Sequence, residues 1–248
     1  MKQLYFWVSL LLLAGCTHPF RYYWSVRDLV VWPDPVIEFQ PPGSQVLLTV
    51  DKPTMQELFL AHMRVSRAAN IQAELLVVDG IEPNAFSLFI GGRRAVAINL
   101  AMVRMIGVQA DEFAALLGHE DAHWAKGHLD SAGIRRSTIQ AVSVLVGLGL
   151  GAAGVPAGGI ISGLGADLIE SSFSRDDERE ADAWGIEYMT AAGYDPWAAV
   201  RLHEKMLALP GGINIPFLSS HPSSQERIEN LKHLIEAKKS QSNTNPPP

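Results

Sequence analysis

Cysteine is almost absent. Cys16 is the one cysteine among 248 residues, so no disulfide can close within the chain, and stability must come from a buried core and any metal the fold holds. Surplus positive charge is missing too. The 20 lysines and arginines are outnumbered by 26 aspartates and glutamates, giving a formal charge of −6 and a pI of about 5.7. That balance offers nucleic acid no general attraction and removes it from the candidate partners. Charge of either sign vanishes between Thr138 and Ala166, a run long enough to raise the question of a membrane span.

What is present begins with a targeting signal. Lys2 precedes an apolar run from Leu4 to Leu13, too short for a span, and Leu13-Ala14-Gly15-Cys16 follows. Leu-Ala-Gly-Cys resembles the bacterial lipobox, which implies a lipoprotein signal peptide over 1–15, cleavage before Cys16, and lipid on its thiol. A plain membrane anchor and a secretory signal with an incidental cysteine are the alternatives; the lone cysteine standing where the box requires it favours lipidation. The mature chain is then held at the membrane through its N-terminal lipid, in the cell envelope outside the cytoplasm. Thr17, where an inner-membrane retention aspartate can stand, points to the outer membrane facing the periplasm. From Thr17 to Ser44, Pro33, Pro35, Pro41 and Pro42 break any long element, so 16–52 reads as a lipidated N-terminus and a tether, able to pack on the surface of a domain over 53–240.

The most informative stretch is His119-Glu120-Asp121-Ala122-His123, an HExxH motif. On a helix, positions four apart share a face, so the two imidazoles converge beside the Glu120 carboxylate. Two neutral imidazoles take two corners of a zinc tetrahedron, a third protein ligand completes the anchoring, and an acid beside them serves as base. Five residues can match by accident, so the reading needs a third ligand elsewhere. Asp111 is a candidate helix cap, with Glu112, Phe113, Leu116 and Leu117 leading into the motif. Asp121 should turn away from the histidine face and reads as solvated. His128 lies off the stripe and suits a hydrogen-bonding role rather than ligation.

Elsewhere, Pro53 and Thr54 open a helix to about Asn70, on which His62 reads as packed. Gln72–Asp79 reads as a strand, and Ala85–Ile90 with Ala95–Leu100 as a hairpin around Gly91 to Arg94. A strand edge there can pair with an extended peptide, or the hairpin only covers the core. A single span within Thr138–Ala166 would part the two histidines from any ligand after residue 170, and Pro156 leaves too little for two spans of about 20 residues. Eight of the 21 glycines lie between Gly147 and Gly165, which favours a buried or membrane-grazing helical hairpin over an inserted one.

Ser174–Ala192 reads as a helix capped by Ser174, with Asp176, Asp177 and Glu178 in its first turn and Gly193 as its left-handed stop. Glu178, Ala181 and Asp182 share a face: Glu178 can complete a zinc shell, small Ala181 allows close approach, and Asp182 can hold the far nitrogen of a ligating histidine. A solvated acidic first turn is the bland alternative. Asp195 and Pro196 open a further helix to about Leu209, with His203 a packing or surface residue. The last helix ends near Lys239, 241–248 reads as a disordered tail, and no room is left for an appended helical-repeat domain.

Several pieces stand together in order: Asn-Ala-Phe at 84–86, His-Glu-Asp-Ala-His at 119–123, Glu-Arg-Glu-Ala-Asp at 178–182, Ala-Gly-Tyr-Asp-Pro at 192–196 and Ser-His-Pro at 220–222. The set resembles the zinc metallopeptidase family of the CAAX prenyl proteases and bacterial heat-shock membrane peptidases. It is most similar to the periplasmic branch, with its lipoprotein and outer-membrane quality-control proteases, over roughly Pro53 to Leu234. The resemblance implies an α+β, predominantly helical, zincin-type domain with a small β-sheet beside the active-site helix. It also implies one zinc per chain held by His119, His123 and Glu178, with Glu120 as base and Asp182 as supporting acid. His221 matches a histidine near the metal that either steadies the oxyanion or closes the open zinc position. Arg227 is a weaker candidate for the same anionic pocket on the substrate, and Asn84 and Ala85 match the start of the substrate-binding strand. Asp121 departs from the family, where an apolar residue is usual.

Two functions follow. The first is a membrane-anchored zinc endopeptidase acting on misfolded or stalled envelope proteins. The second is a latent or chaperone-like envelope assembly factor, working with the assembly machinery, whose zinc is structural or gated by His221.

Overall fold

Prolines and glycines cut the chain into short elements before the long helices begin. The structure, a computed structural model, describes residues 23–31, 33–39, 48–78, 80, 82–90, 92–129, 173–210, 216–221 and 225–244. The signal peptide, Cys16, Thr17, Gly91, the charge-free run from Thr138 to Ala166, Pro222 and Ser223 lie outside the described residues. In chain order come β1 (Tyr23–Ser25), α1 (Val26–Val30), β2 (Val36–Phe39), β3 (Leu48–Asp51), α2 (Lys52–Ala69), β4 (Glu74–Val78), β5 (Ala85–Ile90), β6 (Arg93–Asn99), α3 (Leu100–Ile106) and α4 (Ala110–Ala125). They are followed by α5 (Arg175–Ala191), α6 (Trp197–Leu207), α7 (Pro216–Ser220) and α8 (Gln225–Thr244). The fold is α+β and predominantly helical.

The stretch read as a tether contributes to the domain. Tyr23 to Ser25 pair antiparallel with β4, and β2 pairs antiparallel with β3, while Val26, Leu29, Ile37 and Phe39 are buried. The prolines separate these elements without abolishing them; segments of three to five residues are too short to show a period. At the other end, α8 runs to Thr244, five residues past the expected stop at Lys239.

The four-stranded sheet has the order β1-β4-β6-β5, with β4 parallel and β5 antiparallel to β6. Alternation sends Leu75, Val77, Val96 and Ile98 into the main core and Leu76, Leu88, Ala95 and Ala97 to a smaller cluster on the opposite face. Among the described residues β5 pairs with β6 alone, so it is an edge strand. The reversal into β6 is tighter than expected. Gly92 takes a φ of +77°, which glycine adopts without strain, so Arg93 and Arg94 already pair with Ile90 and Phe89.

Helix ends follow their side chains. Asp51 accepts a bond from the Thr54 amide at 2.7 Å to start α2, and Asn70 in the left-handed region stops it. Ser174 and Asp177 form a reciprocal capping box on α5. Asp111 does not cap α4: the helix begins two residues earlier than that cap would place it, at Ala110 after Gln109, and Asp111 instead accepts from the Asp195 amide at 3.0 Å.

Helix α4 packs against α2, α5, α6 and the sheet at once, so every residue from Glu112 to Trp124 is buried. Its approach to α5 depends on two glycines. A Cβ on Gly118 would stand 2.8 Å from the Gly185 carbonyl oxygen, and one on Gly185 would stand 3.0 Å from the His119 amide. Both obstacles are backbone and cannot swing aside. Gly118→Ala is therefore expected to destabilise the fold by about 1–3 kcal/mol and to weaken zinc binding by parting His119 from Glu178. Thermal unfolding and zinc competition titration check both effects.

Candidate metal centre

One turn of α4 carries His119 and His123, and α5 turns Glu178 and Asp182 toward them. The residue after α7 is His221, and Arg227 lies in the first turn of α8. All six side chains are buried. His119 Nε2 lies 3.0 Å from His123 Nε2 and 3.1 Å from His221 Nδ1. Glu178 Oε1 is 3.0 Å from His221 Nδ1 and 3.4 Å from His123 Nε2. One donor atom from each of His119, His123, Glu178 and His221 lies within 4.8 Å of all the others.

This donor set fits zinc. Imidazole nitrogens facing one another cannot all be satisfied by shared protons, and their spacing is close to the roughly 3.3 Å between ligand atoms on a tetrahedral zinc with bonds of ~2.0–2.1 Å. The outer nitrogens support the same tautomers. His119 Nδ1 is 3.1 Å from Asp182 Oδ1, so a proton there donates to the carboxylate and leaves Nε2 to the metal. His123 Nδ1 is 2.9 Å from His128 Nδ1, and His128 Nε2 is 3.3 Å from Glu180 Oε2. His128 thus stands behind His123 as Asp182 stands behind His119. Phe173 stacks on His123 at 3.6 Å between ring centroids, and Phe217 stacks on His221 at 4.7 Å.

Arg227 corrects an expectation. Its Nε and Nη2 reach the two Asp182 oxygens at 2.6 and 2.7 Å, and its Nη1 reaches Glu178 Oε2 at 2.5 Å. The guanidinium is committed to the metal-side carboxylates rather than to a substrate anion. Burial alone would raise the Glu178 carboxyl, but His221 and Arg227 hold it well below the carboxylate range. Asp182 is held down by Arg227 against the same burial penalty. Burial pushes the His123 imidazole well below its usual value, and a neutral ring is what metal ligation needs.

Glu120 is fully buried beside the donors. Ser87 of β5 donates to its Oε2 at 2.8 Å; among the described residues Oε1 accepts no hydrogen bond, and it lies 3.4 Å from His221 Nε2. One oxygen is fixed and the other is left as a base. Asn84 and Ala85 sit at the entry to the same strand: the Asn84 amide donates to Asn99 Oδ1 at 3.0 Å, the Asn84 carbonyl accepts from the Asn99 amide at 3.0 Å, and Ala85 pairs with Ile98. Phe217 at the start of the His221 segment donates its amide to the Pro83 carbonyl at 3.4 Å, which ties that segment to the strand's entry.

Asp121 is fully buried rather than solvated, because α4 has no solvent face. Ser66 Oγ lies 2.7 Å from Asp121 Oδ2 and 3.2 Å from His62 Nδ1, and His62 Nε2 is 3.1 Å from the Ala73 carbonyl. With Nε2–H donating to Ala73, Nδ1 accepts, and the single Ser66 proton cannot serve both it and an ionised Asp121. The chain closes when Asp121 holds a proton and donates to Ser66. Burial, opposed by the Ser66 bond and aided by Glu120, pushes the Asp121 pKa up to about 7, and burial pushes His62 down to about 4. A carboxyl raised in the folded state contributes stability that is complete below the unfolded pKa near 4 and is lost as pH rises through about 7. Asp121→Asn, which keeps a donor toward Ser66, is expected to match wild type near pH 4 and to exceed it at pH 8 by up to roughly 4 kcal/mol. Denaturant melts at the two pH values check it.

Ser87 and the Gly118–Gly185 crossing were not singled out by sequence. Signals exist for both: Ser87 is the polar residue in Ala-Phe-Ser-Leu-Phe-Ile, and Gly185 stands two helical turns after Glu178.

A model of peptidase family M48 matches residues 51–235. The chain belongs to peptidase family M48. This is a zinc metallopeptidase family, and the His119, His123, Glu178 and His221 group is able to hold the ion. Among M48 relatives, the chain is 34% identical over 174 residues to the mitochondrial metalloendopeptidase OMA1 of Schizosaccharomyces pombe, covering 69% of this chain and 49% of the relative. It is 28% identical over 127 residues to the metalloprotease LoiP of Escherichia coli, covering 51% of this chain and 50% of that one. It is 28% identical over 181 residues to the beta-barrel assembly-enhancing protease of Escherichia coli, covering 68% of this chain and 36% of that one. The chain spans about half or less of the length of these relatives.

Proposed function

We propose that this chain is a zinc metalloendopeptidase of the bacterial cell envelope, held at the membrane by lipid on Cys16, that hydrolyses peptide bonds in misfolded or stalled envelope proteins. The observation that carries the reading is Glu120: a buried carboxylate with one oxygen fixed by Ser87 and the other without a hydrogen bond among the described residues, beside the four-residue donor group and an edge strand. Names among the relatives, a metalloprotease and a beta-barrel assembly-enhancing protease of Escherichia coli, support proteolysis, and the second supports a link to envelope assembly.

The residues divide the work. Zinc, when bound, supplies a Lewis acid that polarises the scissile carbonyl and acidifies the attacking water. His119, His123 and Glu178 hold it, with Asp182 and His128 fixing the two imidazoles. An extended peptide pairs with the outer edge of β5, entering at Asn84 and Ala85. Glu120 Oε1 takes the proton of the water and returns it to the leaving amine. The phenylalanines beside His123 and His221 exclude bulk water, which strengthens every charge interaction inside. Among the described residues no helix is long and apolar enough to cross a membrane; in this reading attachment is through Cys16. The test compares envelope proteomes of cells carrying wild-type and Glu120→Gln chains. Envelope proteins that accumulate only with the variant are expected, and identical proteomes would remove the quality-control role.

A second reading rests on His221, whose Nδ1 stands with the other donors. A fourth protein ligand closes a zinc site and makes it structural or latent, as an assembly factor would use it. His221→Ala is expected to raise turnover of an unfolded protein without altering zinc content, as for a gate. A fall of about 10²–10³-fold would instead mark an oxyanion role, and an unchanged rate would remove both.

A further inference from the structure

A cavity of about 760 Å³ opens between α1, α2 and the starts of β4 and β6, and none of the metal donors lines it. Its size suits a small-molecule ligand, for which ~300–1,000 Å³ is usual. Arg27 of α1, Arg67 of α2, and Arg93 and Arg94 of β6 line it. The one carboxylate among the described lining residues, Glu74, is 3.4 Å from Arg93. Four positive charges less one leave a surplus of three, in a chain whose total is −6. Arg27 and Arg67 are exposed and make no ion pair among the described residues.

The remaining wall is apolar. Phe59, Ile71 and Leu75 face the same space as the guanidiniums. A bare anion needs no such wall, and an apolar ligand needs no arginines; the combination fits an amphiphile with an anionic head. Guanidinium forks match phosphate oxygens in pairs. Position narrows the choice. Ser25, also in the lining, follows Cys16 by nine residues, and an extended chain gains at most ~3.3–3.6 Å per residue. On the lipid-anchor reading the cavity therefore stays within about 30 Å of the bilayer surface.

We propose that this cavity binds an anionic glycerophospholipid, with Arg27 and Arg67 taking the phosphate and Phe59, Ile71 and Leu75 taking the first methylenes of an acyl chain. The choice of a lipid over a free phosphate rests on the anchor proposed above. Ser66, which lines the cavity and bonds Asp121, puts the ligand one hydrogen bond from the metal helix.

The test is calorimetric titration of the zinc-loaded full chain with monomeric dihexanoylphosphatidylglycerol, dihexanoylphosphatidylcholine and inorganic phosphate, repeated with the Arg27→Gln/Arg67→Gln variant. Phosphatidylglycerol is expected to bind most tightly and to weaken about tenfold or more in the variant, while the variant's peptidase rate and circular dichroism stay unchanged. Arg27→Gln alone supplies the comparison if the double variant does not fold. Equal binding of phosphatidylglycerol by folded variant and wild type would overturn the site, as would equal binding of phosphatidylcholine. Inorganic phosphate binding as tightly as phosphatidylglycerol would reduce it to a plain anion site and overturn the lipid. Binding is read without hydrolysis and the mass of the lipidated N-terminus separately, so failure of either earlier reading is told apart from failure here.

Discussion

Glu120→Gln protein is expected to keep one zinc per chain while its kcat on an unfolded protein falls by about 10²–10⁴-fold, with KM little changed. The reason lies in how Glu120 is held. Its side chain is fully buried on α4 between the metal donors and β5, with Ser87 bound to one oxygen and the other without a hydrogen bond among the described residues. Glutamine has the same shape and is not a ligand, so the donors stay in place. The Ser87 hydroxyl can rotate to accept from the amide or donate to its oxygen, so the helix and strand remain joined. What disappears is the basic oxygen. A wild-type rate with full zinc would show that another group takes the proton.

Arg227→Met is expected to have the largest effect on stability, about 3–5 kcal/mol in the zinc-free protein. The wild-type guanidinium bonds both Asp182 oxygens and one Glu178 oxygen in a buried setting. Methionine fills part of the volume and leaves two buried carboxylates without their cation. The sign with pH is fixed by the depressed folded-state values. Stability from Glu178 and Asp182 is complete above their unfolded pKa values near 4 and is lost as pH falls through the lower folded values. The deficit of the variant is therefore greatest at neutral pH and shrinks below about pH 4, where the unfolded chain takes up protons that the two carboxylates of folded wild type, held by Arg227, still refuse. Zinc restores part of it by supplying another cation. Chemical denaturation at pH 7 and pH 3.5, with and without zinc, checks the pattern.

The catalytic helix was legible because ligation imposes spacing. His119 and His123 one turn apart, with Glu178 and Asp182 one turn apart on a capped helix, carry the site in the sequence itself, and the structure brings all four together. Arg227 was seen as a charge near the metal but given the wrong partner, since nothing local tells whether a guanidinium faces a ligand or a carboxylate 45 residues earlier. Asp121 was misread because helix direction alone was used. A helix covered on several sides by α2, α5, α6 and the sheet has no outer face, and that enclosure is a property of the tertiary fold. The N-terminal strands were missed for the opposite reason: three or four residues bear no pattern, and β1 and β2 are fixed by pairing with β4 and β3.

The most direct measurement is zinc K-edge X-ray absorption on the purified full chain, paired with metal quantification. The expected result is one zinc per chain, with nitrogen and oxygen neighbours at ~2.0–2.2 Å and no sulfur, and loss of that signal in His119→Ala. Zinc well below one per chain, or a spectrum unchanged by His119→Ala, would contradict a metal centre built from His119, His123 and Glu178.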